Sequence, residues 1–206
     1  MDVRAKQRLL FGVVLFLLTC VAAVSPHVNS IVRRFQVKIK MTDFVNYTIR
    51  PALSSDEPFL REMFYQALHV EGQEPYPREV LDRPKIAKYI RDWGRAGDLG
   101  FIAVDSNSQP IGAVWCRLLN PEEKGFAHID DETPELGVAV SPEHRSKGIG
   151  TALIKRLLES AESFYPAIAL SVSPKNRAIQ LYERLGFETV DVRETFPVMR
   201  RKLRVK

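Results

Sequence analysis

The chain has 206 residues, 45% of them hydrophobic and 27% charged, a balance that excludes disorder and suits one α/β-sized globular domain with an appendage. Two cysteines, Cys20 and Cys116, exclude a disulfide framework and a thiolate metal cluster. The net charge of +5 sits mainly at the ends, and the body from Met41 to Met199 has 18 bases against 24 acids, which argues for cationic small molecules and for no nucleic acid as partner.

Residues 1–40 hold seven Lys/Arg against one acid and include the uncharged run LLFGVVLFLLTCVAAV, Leu9–Val24. A basic start, an apolar run and the small residues Ala22 and Ala23 fit a signal-like segment or a short anchor. At about 1.5 Å per residue the run is marginal for spanning a bilayer. Met41 opens the globular pattern, so a third reading is that residues 1–40 are a mispredicted extension and Met41 the start. The expected division is therefore a leader, 1–40, and a folded domain, 41–206. A real leader implies membrane contact through residues 9–24 with the domain on the cytoplasmic side, because the basic flank follows the run. Otherwise the protein is expected to be cytoplasmic.

From Asn46 the chain alternates strand-like and helix-like segments. NYTIRPA reads as a strand ended by Pro51. SSDEPFLREMFYQAL follows as a helix with a Ser/Asp start and Phe59, Met63, Phe64 and Ala67 on one face. After the Pro/Gly-rich loop HVEGQEPYPREV, the segment RPKIAKYIRDWG predicts a second helix over 83–94, with Gly94 as its stop. GFIAVD and PIGAVWCRLL, joined by SNSQ, read as a hairpin in which Cys116 is a small buried hydrophobe. PELGVAV is another apolar strand. Then come a helix (GTALIKRLLESAES), a strand (AIALSV), a helix (PKNRAIQLYERLG) and strands in FETVD and FPVMRRKL. Antiparallel strands followed by βαβ crossovers predict a mixed α/β sheet.

The stretch HRSKGIGTAL, His144–Leu153, puts two glycines at a helix start, where glycine is a poor choice unless something must approach the backbone. Free N–H groups and the positive end of the helix dipole make an anion site there, and Arg145 and Lys147 add charge at its mouth. The spacing is neither a P-loop nor GxGxxG, which disfavours a nucleoside triphosphate.

Arg145-Ser146-Lys147-Gly148-Ile149-Gly150 resembles the R/Q-x-x-G-x-G/A motif of the GNAT acetyltransferase superfamily, and SPKNRAIQLYERLGFE is similar to its C-terminal signature, with Asn176, Tyr182, Gly186 and Phe187 in the matching places. The resemblance covers residues 46–206. It implies a mixed, mostly antiparallel sheet flanked by helices, with a V-shaped splay between two central parallel strands. It further implies an acetyl-CoA-dependent N-acetyltransferase that acetylates a primary amine by direct attack in a ternary complex. Acetyl-CoA would be the co-substrate, with no metal. The backbone of Val138, Ala139 and Val140 would pair with the pantetheine arm, and Arg145, Ser146, Lys147, Gly148, Ile149, Gly150 and Thr151 would hold the pyrophosphate. Asn176 and Tyr182 complete the expected cofactor set.

By the family pattern Tyr182 is the acid that protonates the leaving thiolate. Glu135, at the head of the strand leading into the cofactor motif, is the expected base. The plainer readings stand beside these: Tyr182 lies on the apolar stripe Ala178, Leu181, Leu185, Asn176 serves the helix start, and Glu135 is a solvated carboxylate at a strand end. Gly137 is expected to permit strand distortion. Trp93 and Trp115 are candidates for a substrate cavity, with core packing the stronger reading for Trp115. The acceptor is a small-molecule or peptide amine, and a homodimer stays open. The alternative function is a non-catalytic acyl-CoA-binding regulatory domain.

Overall fold

The computed structural model describes residues 46–68 and 74–203, so the readings of residues 1–40 lie outside the described residues. The strands are β1 (Tyr47–Pro51), β2 (Leu99–Asp105), β3 (Pro110–Arg117), β4 (Glu135–Val140), β5 (Ala167–Ser171), β6 (Glu188–Arg193) and β7 (Phe196–Lys202). The helices are α1 (Glu57–Leu68), α2 (Pro84–Ala87), α3 (Ile149–Ala161) and α4 (Ile179–Arg184). One seven-stranded sheet runs in the order β1-β2-β3-β4-β5-β7-β6. Every neighbouring pair is antiparallel except β4 and β5, which are parallel and joined by α3.

The pleat sorts alternate residues to two faces. On β3, Val114 and Cys116 join the core beneath α3, whereas Ala113 and Trp115 join the core beneath α1. The α3 face holds Ile149, Leu153, Ile154 and Leu157, each at most 1% exposed, against Phe101, Val140, Leu170 and Met199. Each such side chain contributes on the order of 1.5–3 kcal/mol by leaving water. The opposite face gathers Leu60, Met63 and Phe64 of α1 with Tyr89, Trp93, Ile102 and Trp115. Both tryptophans lie within this core, 5% and 1% exposed, as expected for Trp115.

The helix expected over 83–94 is α-helical only to Ala87. Asp92 and Gly94 take φ of 57° and 105°, and the carbonyls of Lys88 and Arg91 turn to the Arg117 guanidinium at 2.9 and 2.8 Å. Arg117 is 2% exposed and also holds Asp98 in two charge-assisted bonds of 2.7 and 2.6 Å. A tertiary cation thus takes the carbonyls that a longer helix would have bonded internally. Cys116 is fully buried, and burial pushes its thiol up, so it is an inert hydrophobe as expected.

Candidate functional site

The parallel strands β4 and β5 meet at one register pair, Glu135 with Ala169, where the Ala169 N–H donates to the Pro134 carbonyl at 3.0 Å. Beyond it the strands part. On the other edge β4 stays in unbroken register with β3 from Glu135 to Val140, and the Ser141 N–H donates to Ile111. Backbone groups alternate sides along a strand. Val138 and Val140 therefore present backbone to the gap, as does Ser171 from β5. Ala139 is the exception among the three expected residues: its carbonyl points to β3, 3.1 Å from where a Cβ on Gly112 would stand.

Gly137 has a different use from the one expected. It lies in regular register opposite Trp115, and a Cβ there would come within 2.4 Å of the indole. The glycine makes room for a tryptophan, with no distortion of the strand.

The gap ends at the loop leading into α3. A short 3₁₀ turn, Pro142–His144, is followed by Ser146 at φ 61° and Gly148 at φ 79°. Gly148 is the N-cap, in the left-handed region that favours glycine, and no side chain caps the first turn. The first bond within the helix runs from the Ala152 N–H to the Gly148 carbonyl, so the amides of Ile149, Gly150 and Thr151 have no partner inside it. A Cβ on Gly148 would meet nothing within 4 Å, and one on Gly150 only Val140 Cγ2 at 3.7 Å. These open, donor-rich amides fit a pyrophosphate. The side chains of Arg145 and Lys147 fold back here: Arg145 Nε donates to the Val140 carbonyl at 3.0 Å, and Lys147 Nζ to the Glu143 carbonyl at 2.9 Å.

Glu135 stands on the α1 face of the sheet and is 6% exposed, so it is not a solvated strand end. Its Oε2 accepts from the Tyr89 hydroxyl at 2.9 Å and from the Ala127 N–H at 2.8 Å. Gly125 packs on the other oxygen: a Cβ there would fall 1.9 Å from Oε1. Burial pushes the carboxyl up, the two hydrogen bonds pull it down, and it stays above the ordinary glutamate value. Sequence reasoning missed Tyr89, Gly125 and Ala127, since no local pattern ties them to Glu135. Of the acids in HIDDETPE, Asp130 accepts the Glu132 N–H in a local turn, and Asp131 lies 3.8 Å from His128.

Tyr182 is on the opposite face, in the α3 and α4 core, 7% exposed, and burial alone pushes its hydroxyl up to about 12. It is a neutral donor throughout the physiological range. Asn176 serves the helix start: its Oδ1 accepts the Ala178 N–H at 2.9 Å, in the turn before α4. The two candidate proton-transfer residues thus lie on opposite faces of the sheet. Among the described residues there is no cluster of metal-ligating side chains, and no helix is long and apolar enough to cross a membrane.

Comparison with known proteins gives a family and a fold. The acetyltransferase (GNAT) family matches residues 61–187. An uncharacterized N-acetyltransferase of Methanocaldococcus jannaschii is 32% identical over 152 residues, 71% of this chain and 62% of that protein. The probable N-acetyltransferase san of Drosophila melanogaster is 35% identical over 112 residues, 53% of this chain and 57% of that protein. The chain thus spans less than two thirds of these relatives. The ribosomal-protein-S18-alanine N-acetyltransferase of Escherichia coli shares the fold with a TM-score of 0.55 at 18% identity, covering 78% of this chain and 96% of that one. A putative acetyltransferase of Salmonella typhimurium, solved with acetyl-CoA, gives 0.54 at 21%, covering 77% and 94%.

Proposed function

The chain belongs to the GNAT acetyltransferase family, and from that premise we propose that it transfers the acetyl group of acetyl-CoA to a primary amine by direct attack in a ternary complex. The observation that carries this reading is the parting of β4 from β5 after the single pair Glu135–Ala169, at the foot of an uncapped helix N-terminus.

Acetyl-CoA supplies the acyl group as a thioester. The Gly148–Thr151 amides hold its pyrophosphate, and the backbone of Val138 and Val140 holds its arm. Arg145 and Lys147 stand in the same loop and add positive charge. An ammonium must lose a proton before it can attack, and Glu135, kept above the ordinary carboxylate range by burial, takes that proton through water. As the new C–N bond forms and the C–S bond breaks, the neutral Tyr182 hydroxyl gives its proton to the departing sulfur. The nitrogen sheds its second proton as the amide forms, that proton restores the Tyr182 hydroxyl through solvent, and Glu135 releases the first to water, so the products are an amide, a free thiol and one proton.

The acceptor class is a small amine or a protein N-terminus. The acidic body favours a cationic amine. Relatives named as N-alpha-acetyltransferases, including one of Saccharolobus solfataricus at 33% identity over 117 residues, support a terminal amine. The use of acetyl-CoA supports a location on the cytoplasmic side.

The test is calorimetric titration of acetyl-CoA into the full chain, with Arg145→Glu alongside, followed by thiol release with spermidine and with an Ala-initiated peptide. Binding that weakens in the variant, and thiol release with either amine, is the expected result. A folded protein that binds no acetyl-CoA overturns the reading.

A further inference from the structure

Glu135 is one end of a hydrogen-bonded chain that its catalytic assignment leaves unexplained. The Phe126 N–H donates to the Tyr89 hydroxyl oxygen at 2.7 Å, and that hydroxyl donates its only proton to Glu135 Oε2 at 2.9 Å. The amide of Phe126 thereby fixes the rotor of the phenol, since an oxygen already accepting on one side directs its proton elsewhere. The ring itself is clamped. It lies parallel to Phe126, with centroids 5.9 Å apart, and tilted against Phe64 at 5.3 Å. Tyr89 is 7% exposed, and burial and the Glu135 charge push its hydroxyl far above the ordinary tyrosine value, so it remains a donor.

We propose that Tyr89 is a positioning residue for the acetyl transfer: its hydroxyl holds Glu135 Oε2 and so keeps the carboxylate aimed and charged for proton uptake. This rests on Glu135 being the base.

The electrostatic surroundings of Glu135 leave that task to Tyr89 and Ala127. Lys88 and His128 favour its charged form from a distance, and Lys88 Nζ is committed to the carbonyls of Glu123 and Lys124. Arg117 stands opposite in the β3–β4 register, with its guanidinium committed to Asp98. Ala169, the β5 partner, carries no charge. Among the described residues, the donors in direct contact with the carboxylate are therefore one amide and one phenol, and a buried carboxylate that loses a donor holds its proton more tightly.

The experiment is ¹³C NMR of glutamate-labelled full-length protein, with the Glu135 carboxyl identified by its loss in Glu135→Gln. In Tyr89→Phe, which keeps the ring stack, the Glu135 midpoint moves to higher pH. The acid limb of kcat/KM, read with spermidine or an Ala-initiated peptide, moves the same way, while acetyl-CoA affinity holds. Placing 3,5-difluorotyrosine at position 89, a stronger donor, moves the midpoint to lower pH and serves if Tyr89→Phe fails to fold. An unmoved midpoint in a folded variant overturns the proposal. If Glu135→Gln keeps full kcat/KM and its acid limb, the base assignment falls, and the positioning role with it even where the NMR midpoint moves.

Discussion

The backbone N–H of Phe187 donates to the carbonyl of Tyr182 at 3.0 Å while the two rings meet edge-on with centroids 5.9 Å apart. With the Gly186 N–H donating to Glu183 and Gly186 at φ 82°, this is a complete Schellman ending, and its hydrophobic contact is the Tyr182–Phe187 pair. The Gly-Phe that closes the C-terminal block therefore locks the candidate acid in place. Gly186→Ala puts a Cβ in the left-handed region and is expected to destabilise the protein by about 1–2 kcal/mol, read by urea unfolding. Its effect on acetyl transfer is expected to exceed its effect on acetyl-CoA binding.

Tyr182→Phe is expected to retain acetyl-CoA affinity and lose about 10²-fold or more in kcat, measured by thiol release. A pH signature accompanies it. The folded hydroxyl titrates at about 12 against an ordinary 10, so its contribution to stability is present below pH 10 and is lost as pH rises toward 12. Tyr182→Phe should flatten the fall of unfolding free energy across that window by up to about 1.4 kcal/mol per pH unit. An unchanged slope would contradict the burial of the hydroxyl.

Gly150→Ala separates structural from ligand constraints. A Cβ there meets only Val140 at 3.7 Å, an ordinary contact, so the helix should gain about 0.5 kcal/mol or more and the melting temperature should rise. Acetyl-CoA affinity is expected to hold, because the cradle is proposed to use the amides, which alanine keeps, and the family motif admits alanine at this position. A fall in affinity by calorimetry would show that the pyrophosphate lies against the Gly150 Cα itself.

Gly125→Ala should displace Glu135, since the added carbon would stand 1.9 Å from Oε1. Acetyl transfer is expected to drop with acetyl-CoA binding preserved. Equal loss of both would show that the loop serves the whole fold.

Asp98→Asn leaves the Arg117 guanidinium buried without its counter-charge, which typically costs about 3–5 kcal/mol. Denaturant unfolding reads the loss directly. Arg117→Met, which removes the charge itself but orphans the carbonyls of Lys88 and Arg91, should also destabilise.

The sequence by itself determined the alternation of strands and helices from Asn46 onward, the apolar stripe of α3, and the bare, glycine-marked start of that helix. These features follow from periodicity and from the backbone freedom of residues such as Gly148, both local properties. It also placed Glu135 at a strand head and Tyr182 on a helix. Only the tertiary structure decided what surrounds them. Glu135 meets Tyr89 across 46 positions, Arg117 meets Asp98 across 19, and the helix expected over 83–94 stops early because that same arginine takes its carbonyls. Gly137 could be read as a strand-bending glycine until Trp115 was found filling its missing side chain. Such partners lie far apart in the chain and are chosen by packing, and no spacing within one segment encodes which distant group will share a buried space.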